Sequence, residues 1–236
     1  MSAIPLALVG MGRMGRALAE LAPDRGFEVV ARVDHDGAVT RASLGGAAVA
    51  IEFSVPAAAA ANVIACAVAG CPVVVGTTGW YADLPRVSAE VERAGGAMLH
   101  APNFSLGVAI FDRVVAEAAR LFGSAASFDG HLVETHHRAK VDAPSGTAAA
   151  LARTAEAASG RSMPITSIRV GSVPGTHEVV FDAPFEQVRL VHEARDRRVF
   201  AEGALAAARW IIGRRGVFTM QDVLTTPEST TSPRHS

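Results

Sequence analysis

Six residues constrain this chain more than any others. The apolar run Ile4 to Val9 passes without a break into Gly10-Met11-Gly12-Arg13-Met14-Gly15, and Arg16 to Ala22 continues as a helix-favouring stretch. A G-x-G-x-x-G string is weak alone, but between a strand and a helix it reads as a turn whose backbone can approach a pyrophosphate at the helix N-terminus. Phe27 to Val33 reads as a second strand, and Asp34 follows it, nineteen positions after Gly15. A carboxylate there accepts hydrogen bonds from a ribose 2′-hydroxyl and repels a 2′-phosphate. His35 offers only a titratable counter-charge. NADH should therefore be usable, with NADPH tolerated.

Further buried strands are expected at Val49 to Ser54, Val73 to Val75 and Ala97 to Leu99. Each ends in a polar or glycine-rich turn: Phe53-Ser54-Val55-Pro56, Gly76-Thr77-Thr78-Gly79 and Ala101-Pro102-Asn103-Phe104. Ligands of open parallel sheets sit outside the carboxyl ends of the strands, where all three turns fall. The fold class is therefore α/β, with a Rossmann dinucleotide-binding domain at the N-terminus.

The second half carries a different signal. Lys140 is the only lysine, and the other 21 cationic side chains are arginine. A lysine ammonium is compact and can be made to release its proton, whereas guanidinium stays charged. Lys140 lies in the densest polar stretch, Glu134-Thr135-His136-His137-Arg138-Ala139-Lys140-Val141-Asp142-Ala143-Pro144-Ser145-Gly146-Thr147. The Ala-rich stretch Ala148 to Ala158 follows as a predicted helix, whose N-terminal amides would bind an anion. An anion site, two imidazoles and one ammonium within a short span suit protonation of a small acidic substrate.

Other classes fit less well. Ser145 lacks the strand and G-x-S-x-G elbow of a hydrolase nucleophile, and His136 with His137 has no further ligands at zinc spacing. A net charge of −1 and no basic run interleaved with aromatics argue against nucleic acid. Cys66 and Cys71 read as reduced, buried thiols. The apolar stretch Ala47 to Val75 is broken by Glu52, Pro56, Asn62 and Pro72, so no membrane span is expected. Met1 to Val9 lacks a basic n-region and reads as a strand rather than a signal peptide, which makes the cytoplasm the expected compartment. Residues Thr225 to Ser236 are Thr/Ser/Pro-rich and expected to be disordered. A non-catalytic nucleotide sensor would need the glycine loop and Asp34 but not His136, Lys140 and the Ser145-Gly146-Thr147 helix start. Another dehydrogenase, acting on amino-acid-derived imines, is the nearer alternative.

Taken together, Gly12-Arg13-Met14-Gly15, Gly76-Thr77-Thr78-Gly79, Asn103-Phe104-Ser105, the His136 to Thr147 segment and Phe218-Thr219-Met220-Gln221-Asp222-Val223-Leu224 resemble the bacterial dihydrodipicolinate reductases over nearly the whole chain. The resemblance implies that His136 and Lys140 manage a proton, while His137, Gly146 and Thr147 hold a small cyclic dicarboxylate. It also implies that Gly10, Met11, Gly12, Arg13, Met14, Gly15, Asp34, Gly76, Thr77, Thr78, Ala101, Pro102, Asn103 and Phe104 line an NADH or NADPH site, with no metal. Its fold would place residues 1–104 and 206–236 in the Rossmann domain. Residues 105–205 would form an inserted α/β domain that binds substrate and builds a homotetramer, with chain crossings at Ala101 to Ser105 and near Gly203 to Ala206. Two departures are visible: many members have one more residue in the glycine loop, and the chain passes from Gly160 to a strand read as Ile168 to Gly171 with little room for the Gly- and Arg-containing loop of many members.

Overall fold

The computed structural model describes residues 2–225, and the expectation of disorder for the tail falls almost wholly on residues 226–236, outside them. The chain divides into two compact units, one built from the chain up to Ser105 and again from Phe200 onward, the other from Leu106–Val199.

The first unit is a six-stranded parallel sheet in the order β10-β5-β4-β3-β1-β2. Its strands are β1 (Ile4–Val9), β2 (Phe27–Val33), β3 (Val49–Glu52), β4 (Val73–Val75), β5 (Ala97–His100) and β10 (Gly216–Phe218). Its helices are α1 (Arg13–Leu21), α2 (Pro56–Val68), α3 (Leu84–Arg93), α6 (Arg198–Ile211) and α7 (Met220–Thr225). β3 and β4 are buried along their whole length, which is why they read as unbroken apolar runs rather than alternating ones. Both cysteines are free and buried among them.

Three boundaries in the first unit differ by two residues or more from the sequence reading. Helix α1 starts at Arg13 rather than Arg16, because Gly12 is its extended N-cap and accepts the Arg16 amide at 3.1 Å; Gly15 is thus a helical residue rather than part of the turn. Strand β3 stops at Glu52 rather than Ser54, since the Ser54 amide turns toward the Thr77 hydroxyl at 2.8 Å. On the return, the first unit resumes at Phe200, ahead of residue 206. Gly203 to Ala206 lie inside α6, one uninterrupted helix whose start is fixed by the Asp196 carboxylate accepting the Arg198 amide at 2.8 Å.

The second unit holds α4 (Leu106–Gly123), β6 (Asp129–His136), α5 (Gly146–Ser159), β7 (Ile165–Arg169), β8 (Thr176–Ala183) and β9 (Glu186–Glu193). Its four strands run in the order β7-β6-β8-β9; β7 pairs parallel to β6, and the other pairs are antiparallel. Val115 and Ala119 of α4 and Leu151 and Ala155 of α5 pack with Leu132, Val179 and Phe181 of the sheet into one core. Strand β7 begins at Ile165 and ends at Arg169, earlier than the expected Ile168 to Gly171. The Leu132 amide bonds the Pro164 carbonyl at 2.9 Å and seeds the pairing there, while Gly171 already lies in the turn beyond.

Candidate active site

In the first unit the glycine turn is clamped by its own backbone. The Gly10 amide bonds the Val33 carbonyl at 2.8 Å, joining the turn to the end of β2. Gly10 has φ +91°, and a Cβ there would lie 2.2 Å from the Phe53 carbonyl oxygen. A Cβ on Gly15 would lie 2.1 Å from the Gly10 carbonyl oxygen, so α1 enters directly under the turn. Gly12 differs: a Cβ would meet nothing within 4 Å. Its bare backbone, at the N-cap of α1, faces open space where a pyrophosphate would fit.

The Asp34 carboxylate accepts the Met11 amide at 3.4 Å, and amides of Met11 and then His35 hold its pKa below the usual carboxylate range. A cavity of about 330 Å³ opens here, lined among others by Met11, Gly12, Asp34, Phe53, Ser54 and Asn62. Its size falls within the range of small-molecule sites. Together with the uncovered backbone at Gly12 it fits a dinucleotide.

The other expected turns are knitted to this wall. A Cβ on Gly76 would fall 2.0 Å from the Phe53 ring, and that ring meets Phe104 edge-on at 5.9 Å. The Ala101 amide bonds the Val75 carbonyl at 3.3 Å, and the Asn103 side chain accepts the Ser105 amide at 2.8 Å. Thr77 is buried, whereas Arg13, Thr78 and Pro102 are exposed and Met14 is partly so. Sequence reasoning treated Glu52 only as a break in an apolar run. It is fully buried, and one carboxylate oxygen accepts the Ser54 amide at 3.1 Å, the Ser54 hydroxyl and the Asn62 side chain at 3.4 Å, which ties together two residues of the cavity lining.

In the second unit, period-two alternation along β6 sends Leu132, Glu134 and His136 to the face that meets α4 and α5. His136 is buried, with Nδ1 against a Glu134 oxygen. The other Glu134 oxygen accepts Arg169 Nη2 at 2.7 Å and the Ser145 amide at 3.3 Å. Burial alone would raise the Glu134 pKa, but hydrogen bonds from Arg169, Ser167 and His136 outweigh it and hold the group down to about 2. For His136 burial wins, aided by the charges of Lys140 and Arg169, and its pKa lies below the usual imidazole value despite Glu134.

Helix α5 starts as its sequence demands. Ser145 is the N-cap, its hydroxyl oxygen accepting the Ala148 amide at 3.1 Å, and the Gly146 position is open on its side-chain side. The Ser145 hydroxyl also meets His177 Nε2 at 3.2 Å; His177, pushed down to about 4 chiefly by burial, is a neutral partner. Lys140 Nζ donates to both oxygens of Asp142, at 2.7 and 2.9 Å. The Lys140 ammonium, with a smaller contribution from backbone amides, holds the Asp142 carboxyl below its usual range. An internal carboxylate thus occupies the ammonium that was expected to manage a proton. The His137 amide bonds the Val173 carbonyl at 2.9 Å, and its Nε2 accepts from Arg197 at 2.8 Å.

The second unit therefore gathers His136, Lys140 and Gly146 at one end of its sheet, with Glu134, Arg169 and His177, to which sequence reasoning gave no role. Glu134 stood in the polar stretch and its two-residue spacing from His136 could have flagged it. Arg169 and His177 carried no local signal.

A glycine cradle for a dinucleotide and a buried imidazole able to move a proton define the class of the protein, a dinucleotide-dependent oxidoreductase. Residues 4–104 match the family description "Dihydrodipicolinate reductase, N-terminus", and residues 107–224 match "Dihydrodipicolinate reductase, C-terminus". The chain belongs to the dihydrodipicolinate reductase family. It is 35% identical to the 4-hydroxy-tetrahydrodipicolinate reductase of Christiangramia forsetii over 93% of this chain and 97% of that one. Among solved structures, the dipicolinate-bound dihydrodipicolinate reductase of Paenisporosarcina sp. TG-14 superposes with a TM-score of 0.78 at 20% identity, covering 92% of this chain and 97% of that one. GenD2 from gentamicin A biosynthesis, solved with NAD, shares the fold with a TM-score of 0.63 at 13% identity, over 95% of this chain and 91% of that one. The activity is the family's, that of a reductase of the diaminopimelate and lysine pathway with NADH or NADPH as reductant.

Proposed function

We propose that the first unit binds the reduced nicotinamide dinucleotide on Gly10 to Gly15, Asp34, Gly76 to Thr78 and Ala101 to Phe104, and that the second holds a cyclic dicarboxylate on His137, Gly146 and Thr147 and protonates it through His136 and Lys140. One observation carries the reading: a buried imidazole, braced by an ionised carboxylate, stands at the end of β6 beside an ammonium and a helix N-terminus.

Bound to the cradle, the cofactor supplies a hydride. Electrons pushed toward the ring imine leave an enamine that needs a proton, and His136 donates it from Nε2, since Nδ1 is held by Glu134. Lys140 leaves Asp142 to neutralise charge on the ring or its carboxylate. The exchange is cheap because the Asp142 side chain is 58% exposed, and such pairs are worth about 0–1 kcal/mol. Incoming carboxylates raise the His136 pKa from its depressed value, arming the acid when substrate is present.

Coupled turnover, with the product of the preceding synthase generated in place and oxidation of NADH and NADPH followed, tests the assignment. Consumption of either cofactor only when synthase product is present is the expected result. No turnover, with reduction of an amino-acid-derived imine instead, would reassign the substrate. Asp34→Ala should weaken NADH binding more than NADPH binding, because the carboxylate reads the 2′ position; an equal loss for both cofactors would remove that role.

No helix among the described residues is long and apolar enough to cross a membrane. A cytoplasmic protein with neither membrane nor nucleic-acid partner is part of the proposal. So is a homotetramer, supported by the sheet face turned away from α4 and α5, where Ile168 and Val191 stand exposed. Light scattering should return four times the chain mass, and a monomer would set that assembly aside.

A further inference from the structure

We infer that Glu134 is a positioning residue for proton transfer, a single ionised carboxylate that aligns His136 through Nδ1 and fixes the start of α5, so that the acid and the carboxylate anchor are held as one piece. The inference rests on His136 as the proton donor.

A carboxylate at 0% exposure is costly unless charge and hydrogen bonds compensate it. Here both oxygens are committed. Oε1 takes Arg169 Nη2 at 2.7 Å and the Ser145 amide at 3.3 Å, and Oε2 takes His136 Nδ1. Arg169 also clamps the loop that precedes α5, donating to the Asp142 carbonyl at 2.6 Å. One side chain therefore connects β6, β7 and the N-cap of α5. A helix that only needed a stable start already has Ser145, which accepts the Ala148 amide.

The division between the two oxygens has a chemical consequence. With Nδ1–H donated to Glu134, neutral His136 is held in the tautomer whose Nε2 carries the lone pair, and the added proton resides on Nε2. The Nε2 edge faces a glycine: a Cβ at position 175 would come within 3.0 Å of that atom, so a side chain there would crowd it. Among the charged and titratable groups around the ring, Glu134 on β6 favours the imidazolium. Arg169 on β7 and Lys140 in the loop before α5 disfavour it, and His177 on β8 is neutral. Removing the Glu134 charge should therefore move the His136 pKa further down.

Glu134→Gln keeps the size but puts an amide N–H toward either His136 Nδ1 or Arg169, so one of the two contacts is lost. The expected kcat is lower by roughly 10- to 150-fold, the range for a charge-assisted hydrogen bond. The loss of kcat with rising pH should set in at lower pH than in the parent, with the KM for NADH unchanged. A parent-like kcat and pH profile, or a loss confined to KM with the profile unmoved, would overturn the inference, since a merely structural residue would leave the His136 titration alone. The unsubstituted protein provides a second measurement independent of how the variant folds. Nitrogen NMR of the His136 ring should show the Nδ1–H tautomer above its pKa, and the Nε2–H tautomer would overturn the alignment. His136→Gln run in parallel separates the failures: full activity there removes His136 as the acid, whereas an inactive His136→Gln beside a fully active Glu134→Gln removes only Glu134.

Discussion

His136→Gln is expected to lower kcat by about 10²- to 10⁴-fold, the usual worth of a positioned general acid, while the KM for NADH stays at its parent value. Glutamine can still donate a hydrogen bond from this end of β6 but has no proton to give up near neutral pH. The cradle lies in the other unit and should not register the change. Lys140→Arg completes the test. Arginine supplies charge and donors, so activity should survive if Lys140 only anchors a carboxylate. If a compact ammonium that can release its proton is needed, kcat should fall with cofactor binding intact. Steady-state rates of both variants decide the matter. Near-parent turnover in His136→Gln would dismiss the imidazole as donor, and near-parent turnover in Lys140→Arg would leave His136 as the sole candidate acid.

The second large effect separates two glycines three residues apart in the same motif. Gly15→Ala places a methyl about 2 Å from the Gly10 carbonyl oxygen, and that backbone has nowhere to go: Gly10 is tied to Val33 on one side and abuts Phe53 on the other. Overpacking of this kind costs about 1–3 kcal/mol or more, beyond the roughly 1 kcal/mol that alanine gains over glycine inside a helix. Thermal unfolding should fall by several degrees, on a scale of about 2–4 °C per kcal/mol for a chain of this size. Gly12→Ala meets no atom within 4 Å and should melt within a few degrees of the parent, yet its methyl would stand where a pyrophosphate approaches, so the KM for NADH should rise. An unfolding temperature unchanged by Gly15→Ala would refute the close approach, and unchanged NADH kinetics in Gly12→Ala would refute the cradle.

These differences show what a sequence displays and what it conceals. The strand before the glycine turn, Asp34 after β2 and the Ser145 cap of α5 were legible because each is a local pattern, set by periodicity or by backbone groups a few residues apart. The start of α1 was misplaced because Gly15 reads as the last residue of the turn, whereas its reason for being glycine is a contact with Gly10. Glu52 looked like an interruption in an apolar run because nothing nearby shows that Ser54 and Asn62 fold back onto it. Arg169 bonds a residue 35 positions away and His177 one 32 positions away, pairings created by strand order rather than by neighbours in the chain. The sequence reading placed no strands across Thr176 to Glu193, so β8 could not be seen to bring His177 to Ser145.

The parallel pairing of β7 with β6 determines where this chain can change length. His136 stands opposite Arg169 and Glu134 opposite Ser167, so the counter-ion of the buried carboxylate is delivered by counting residues along β7. Moving that strand by one position would turn Arg169 to the far side of the sheet and leave Glu134 facing an apolar or uncharged neighbour. Between the end of α5 at Ser159 and the start of β7 at Ile165, by contrast, the chain is a connection whose length touches no charge at the site. Residues inserted at positions 160–162, ahead of buried Met163 and of Pro164, whose carbonyl holds the Leu132 amide, should leave the site intact, while a single insertion between Ile165 and Arg169 would disarm it without altering any residue proposed to meet substrate.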